Sequence, residues 1–190
     1  MKMLACLLFG VFLAAFSEEL VLWEYDFHTL PPDWEASWYW EFTVEYGAYL
    51  NVSFGGTSGC AGGAFGSYNT CAILPEGTDS VTIYADQVLS LTHYIDWSYA
   101  EVCISRDQGS NWEQIFYETS DYGTSDPLML TLTDVQGGDS LQIEFNGIAY
   151  GSMYGGSTVS WRLENFVLTA FGEALQMDQT SWGAIKALEF

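Results

Sequence analysis

The chain has 190 residues, 49% apolar and 17% aromatic, with 19 glycines and a formal net charge of −21. That length suits one sizeable domain rather than two, and the apolar fraction excludes a chain disordered throughout. Only 4 lysines and arginines stand against 25 acidic residues, so the chain lacks the cations needed to displace nucleic-acid counterions or to settle on an anionic membrane.

The N-terminus reads as an export signal. In MKMLACLLFGVFLAAFS, Lys2 precedes an apolar run from Leu4 to Phe16, and Ala15 and Ser17 are the small residues a signal peptidase reads. The run is short for a membrane span, and acidic Glu18 and Glu19 follow at once. The expected organisation is a signal peptide over 1–17, one domain over 18–172 and a tail over 173–190. The protein is expected to be secreted or at the cell surface, with no membrane span in the mature chain. Cleavage removes Cys6 and leaves Cys60, Cys71 and Cys103, an odd set. Cys60 and Cys71 flank a Gly-rich segment, and two readings stay open, a disulfide that staples it or buried, inert thiols. The spacing does not indicate zinc.

Leu20 to Phe27 reads as an opening strand, stopped by Pro31 and Pro32. Trp38 to Phe54 reads as two strands broken at Gly47, with Trp40, Phe42 and Val44 on one face and Glu41, Thr43 and Glu45 on the other. Gly55 to Gly66 is expected to be a small-residue loop. Thr70–Pro75 and Asp79–Ala85 are short strands, and Val88–Tyr99 is undecided between strand and loop. Ala100 to Glu118 is the clearest element. Ala100, Val102 and Ile104 alternate with Glu101, Cys103 and Ser105, then Asp107 to Asn111 supplies turn residues, and Trp112 opens a second run with Ile115, Phe116 and Tyr117. Leu128–Leu132 is a strand, and after the Gln136–Asp139 turn Leu141, Ile143 and Phe145 alternate with polar residues. Gly147 to Ser157 is expected to be a loop exposing Tyr150 and Tyr154. Val159 to Ala170 closes the domain. The pattern predicts burial of Val102, Ile104, Trp112, Leu141, Ile143, Trp161 and Leu163. Even turn spacing with no helical period before the tail predicts an all-β protein, a two-sheet antiparallel jelly-roll β-sandwich. In the tail, Ser181 is placed to cap a short amphipathic turn of Trp182, Ile185 and Leu188.

Three motifs carry a family resemblance. Val102-x-Ile-Ser-x-Asp-x-Gly-x-x-Trp-x-x-Ile115 resembles the central hairpin of secreted jelly-roll domains of the MAM and bacterial choice-of-anchor J (cleaved adhesin) type. Asp26-Phe-x-x-Leu-Pro-Pro-x-Trp34 resembles their opening turn, with Asp33 where glycine is common. Trp161-x-Leu-Glu-Asn-Phe-x-Leu168 resembles their last strand. The resemblance spans Trp23 to Leu168 and implies a bacterial, extracellular, non-catalytic module for binding or adhesion. It also implies a structural calcium near the first and last strands, for which Glu24, Asp26, Glu164 and Asn165 are the matching positions; calcium takes several oxygen ligands of this kind.

The chemistry points the same way. His28 and His93 have no Gly-x-Ser-x-Gly element nearby and read as structural. Glu41 and Glu45 form a same-face carboxylate pair, which keeps a small jelly-roll glycosidase as an alternative, although the Glu-x-Asp-x-x-Glu strand of one such family is absent. Glycan binding asks only for exposed aromatic faces beside polar groups. Trp38, Tyr150 and Tyr154 are the candidates, Trp40 being read as core. The partner is then an extracellular glycan or a surface protein; self-assembly into a surface structure is the third reading.

Overall fold

The computed structural model describes residues 17–55, 59–67, 72–94, 97–119 and 121–176; the expected export signal but for Ser17, Cys71 and the tail beyond Gln176 lie outside them. Thirteen strands are described: β1 Glu18–Tyr25, β2 Glu35–Ala36, β3 Trp40–Thr43, β4 Gly47–Gly55, β5 Gly59–Gly66, β6 Ala72–Ile73, β7 Glu76–Tyr94, β8 Ser98–Ser105, β9 Glu113–Thr119, β10 Gly123–Thr124, β11 Leu128–Leu132, β12 Ser140–Gly151 and β13 Gly156–Gln176. They form two antiparallel sheets packed face to face, a jelly-roll β-sandwich. The first runs β10-β7-β13-β4-β3, with β11 also on β7 and β1 also on β13. The second runs β2-β5-β12-β8-β9, with β6 also on β12.

Period-two alternation builds the core. Val81, Ile83, Leu89 and Leu91 of β7 and Val159, Trp161 and Leu163 of β13 face Ala100, Val102 and Ile104 of β8 and Leu141, Ile143 and Phe145 of β12, all buried. A register shift in β13 between Glu164 and Val167 lets Phe166, Leu168 and Ala170 point inward as well, with Asn165 at φ 49° absorbing the extra length. Trp161 stays satisfied in the apolar interior because its Nε1 donates to Gln87 Oε1 at 3.1 Å.

The Leu-Pro-Pro turn after β1 does more than end a strand. Trp34 N donates to Pro31 O at 3.0 Å, closing a tight turn. Phe27, at φ 58°, and Trp34 then fold inward against Phe65, Phe145 and Phe166, with ring centroids 4.8 to 6.3 Å apart. These rings plug one end of the sandwich.

Several expectations need correction. Gly59–Gly66 is a strand of the second sheet, between β2 and β12, not a loop, and β12 continues through Gly147 to Gly151, so Tyr150 is a strand residue. The stretch 76–94 is one strand, which resolves the ambiguous Val88–Tyr99 segment up to Tyr94. Glu173 to Gln176, expected as tail, still belongs to β13. Trp112 precedes β9, lies over Gly109 of the turn (φ 82°) and is 37% exposed, whereas the other six residues predicted as core are buried. Val44 and Glu45 lie in the β3–β4 turn, so Val44 is exposed and Glu45 shares no strand face with Glu41.

Candidate functional site

The two faces of each sheet differ in what alternation leaves outside. On the second sheet, the register across β5, β12, β8 and β9 sets out four ranks of outward side chains. Cys60 opposes Tyr150; Gly62, Ile148, Tyr99 and Thr119 form the next rank; then Ala64, Asn146, Glu101 and Tyr117; then Gly66, Glu144, Cys103 and Gln114. Glu35 of β2 extends the last rank beyond Gly66. The β5 end of each rank is nearly bare, while β12, β8 and β9 carry rings, amides and carboxylates.

One half of this face is aromatic. Trp97, just before β8, stacks on Tyr150 with ring centroids 3.8 Å apart and planes 20° from parallel. Tyr99 follows at 5.6 Å from Trp97, and Tyr117 at 5.6 Å from Tyr99. The ladder crosses β12, β8 and β9, and two of its rings stay accessible, Trp97 45% and Tyr117 46% exposed. Its outer rung is fixed by main chain: Tyr150 N donates to Trp97 O at 2.9 Å, and buried Ser157 donates from Oγ toward Trp97 O and Tyr150 O.

The other half is polar. Glu101 accepts from Asn146 Nδ2 at 3.0 Å and from Gln114 Nε2 at 2.5 Å, so both its oxygens are held. Gln114 reaches it because a β-bulge in β9 skips Ile115 and sets Gln114 opposite Cys103. Burial chiefly, then the Glu101 charge and neighbouring tyrosines, pushes the Tyr99 hydroxyl up to about 12. Burial followed by the charges of Glu101 and Glu144 pushes the Cys103 thiol up to about 11. Proton-bearing tyrosine, amide donors beside a carboxylate acceptor, and ring surface thus stand side by side on one rigid sheet.

Of the three residues expected to bind a ligand, the structure places Tyr150 in this ladder. Trp38 stands at the open edge near β2, 82% exposed and stacked on Tyr39 at 3.9 Å. Tyr154 lies in the β12–β13 turn, exposed. The ring stacked on Tyr150 is that of Trp97. Trp97, Tyr99 and Tyr117, with Glu101, Gln114 and Asn146, were missed. The signal that reveals them is the outward phase of the central hairpin, Tyr99-x-Glu101-x-Cys103, read together with Tyr117.

The calcium candidates have separate engagements. Asp26 Oδ1 accepts from His28 N at 2.9 Å, and its carboxylate lies 3.1 Å from His28 Nδ1. Asn165 Nδ2 donates to Asp86 Oδ2 at 2.7 Å, Glu164 lies 3.5 Å from Arg162, and Glu24 pairs with Val167 across β1 and β13. Among the described residues, no group of three or more His, Cys, Asp or Glu side chains is placed to hold a metal. His93 Nδ1 faces Asp121 at 3.0 Å. A shallow depression of about 380 Å³ lies on the first sheet among Ser53, Phe54, Thr92, His93 and Thr158, without an aromatic ladder. Among the described residues no helix is long and apolar enough to cross a membrane.

The chain matches no protein-family model, and a search of curated proteins finds no match. Among solved structures it is similar to the CBM22-1 xylan-binding domain of Paenibacillus barcinonensis Xyn10C, at 12% identity and a TM-score of 0.44 over 81% of this chain and 96% of that one. It is similar to a cleaved adhesin domain of Lys-gingipain from Porphyromonas gingivalis, at 12% identity and a TM-score of 0.49 over 80% and 99%. A family 29 carbohydrate binding module follows, at 11% identity and a TM-score of 0.45 over 81% and 89%. At these identities the likeness concerns the fold.

Proposed function

We propose that the outer face of the second sheet binds a glycan chain, and that the protein is a non-catalytic extracellular recognition module. The observation that carries this reading is the ladder Tyr150–Trp97–Tyr99–Tyr117 beside the Gln114–Glu101–Asn146 network. Ring surface packs against the C–H faces of a pyranose, while neighbouring amides, carboxylates and phenols exchange hydrogen bonds with its hydroxyls. Both are presented by paired strands, so binding orders little of the protein and loses little conformational entropy. The export signal over 1–17 brings such a module to where polysaccharides are met.

Calorimetric titration against soluble neutral polysaccharides, including β-glucan, glucomannan and xylan, tests this. Binding by the wild type is expected, with Tyr117→Ala and Trp97→Ala each weakening it by about tenfold, roughly 1.4 kcal/mol. Trp38→Ala, at the far edge, is expected to leave affinity unchanged. No binding to any of these polymers, or equal binding by the ladder variants with unaltered circular dichroism, overturns the proposal.

A further inference from the structure

Resting on that reading, we infer that the polar half of the face selects glycans by their free hydroxyls: it binds sugars that present O–H donors and rejects the same sugars once those hydroxyls are O-acetylated. Glu101 is the positioning residue for this preference, because it decides which way two neighbouring amides turn. The register makes Asn146, Glu101 and Tyr117 one rank across β12, β8 and β9, and the β9 bulge brings Gln114 alongside. Asn146 Nδ2 donates to Glu101 Oε1, and Gln114 Nε2 donates to Glu101 Oε2.

An amide carries donors on its nitrogen and an acceptor on its oxygen, whereas a carboxylate only accepts. Each amide therefore turns its nitrogen to Glu101, and its carbonyl oxygen is left for another partner. After those two bonds the network keeps one unused hydrogen on each amide nitrogen. Against these stand the two carbonyl oxygens, with two lone pairs apiece, and the lone pairs that Glu101 has not used. Acceptors outnumber donors. Gln114 is exposed, and Asn146 and Glu101 are half-buried, so a ligand lying on the face covers them. A sugar resting on the exposed Tyr117 ring sets its hydroxyls over this acceptor-rich rank, and each O–H answers an oxygen that water served before. An O-acetyl group removes that hydrogen and brings a carbonyl oxygen of its own. Acceptor then meets acceptor, and the covered oxygens lose their water without gaining a partner. Acetylation leaves the glycan uncharged, so the net charge of −21 takes no part in the difference.

The test titrates the protein with oligosaccharides of β-glucan, glucomannan and xylan, each O-acetylated and again after mild alkali has removed the acetyl groups. The acetylated forms are expected to bind at least about fivefold more weakly. Glu101→Gln has the same shape but both donates and accepts, so it lets one neighbouring amide turn its nitrogen outward, and it is expected to narrow the gap to within about twofold. Gln114→Ala, at an exposed position of an edge strand, removes one carbonyl oxygen and is expected to weaken the deacetylated forms while leaving the acetylated ones unchanged. Equal binding of the two forms by the wild type overturns the inference and leaves the glycan proposal standing. So does a gap that Glu101→Gln leaves intact, or one that Gln114→Ala closes by strengthening the acetylated forms, because the acetyl group is then excluded by its bulk. Binding of neither form by the wild type overturns the glycan proposal, and this inference with it.

Discussion

Tyr99 is the residue where the chemistry of the proposed face is most directly measurable. It stands between Trp97 and Tyr117 in the ladder and shares the face with Glu101. Its folded-state value near 12 lies above the usual 10 of a free phenol, first because burial penalises the phenolate and then because Glu101 repels it. The native state therefore holds this proton more tightly than the unfolded chain does. The stabilisation this represents is complete below about pH 10 and is lost as pH rises toward about 12. Absorbance titration of the phenolates should show a late-ionising component near pH 12 that Tyr99→Phe removes, while binding of neutral glycan persists through neutral and mildly alkaline pH. Ionisation of all tyrosines below pH 11 in the folded protein would contradict this. Cys103, raised for the same two reasons, is expected to alkylate slowly at pH 8 even though it lies on a solvent-facing side of its strand.

At the scale of elements, the decisive strand is β5, which organises the bare edge of the face. Two of its outward positions, Gly62 and Gly66, cannot carry side chains. A Cβ on Gly62 would come within 2.1 Å of Gly147 O, and one on Gly66 within 2.4 Å of Ile143 O, both backbone atoms that cannot move aside cheaply. Gly62→Val or Gly66→Val is therefore expected to destabilise the domain by about 2 kcal/mol or more, read as a lowered denaturant midpoint at unchanged slope. Stability within about 0.5 kcal/mol of wild type would show that the strands separate without cost. The same strand explains what was legible in the sequence. Alternation disclosed β8, β9, β11, the first half of β12 and most of β13, because their inward residues are large and apolar. In β5 the pattern is erased, since GCAGGAFG has one large side chain, Phe65, to mark its phase. Gly147 in β12 looked like a break for a related reason. It is glycine because Leu50 and Val159 from the facing sheet occupy the space its side chain would fill, at 2.5 and 3.0 Å. Tyr150 was thereby taken for a loop residue, and the ladder stayed hidden behind it. The alternation of Tyr99 and Glu101 was visible, but Tyr117 reaches Tyr99, and Tyr150 reaches Trp97, only through strand pairing across 18 and 53 residues, which no local pattern encodes.

At the scale of the whole molecule, a net charge of −21 makes self-repulsion a standing cost of compactness. Salt screens it, so the melting temperature is expected to rise with sodium chloride over the range where the Debye length falls from about 30 to about 8 Å. Divalent cations separate this general effect from a bound ion. Calcium at Glu24, Asp26, Glu164 and Asn165 would require Asp26 to leave His28 and Asn165 to leave Asp86, giving up contacts of 2.7 to 3.1 Å. It would also have to draw Glu164 from Arg162. Because those contacts already satisfy the side chains, calcium and magnesium chloride at equal ionic strength are expected to raise the melting temperature equally, with EDTA reversing neither beyond its own ionic strength. A site that forms only in the folded state behaves differently. It adds about 2.7 kcal/mol at a hundredfold excess over its dissociation constant, for the ion that fits and not for the other. A calcium-specific rise abolished by Asp26→Ala would therefore place an ion between the first and last strands and show that the His28 and Asp86 contacts yield to it.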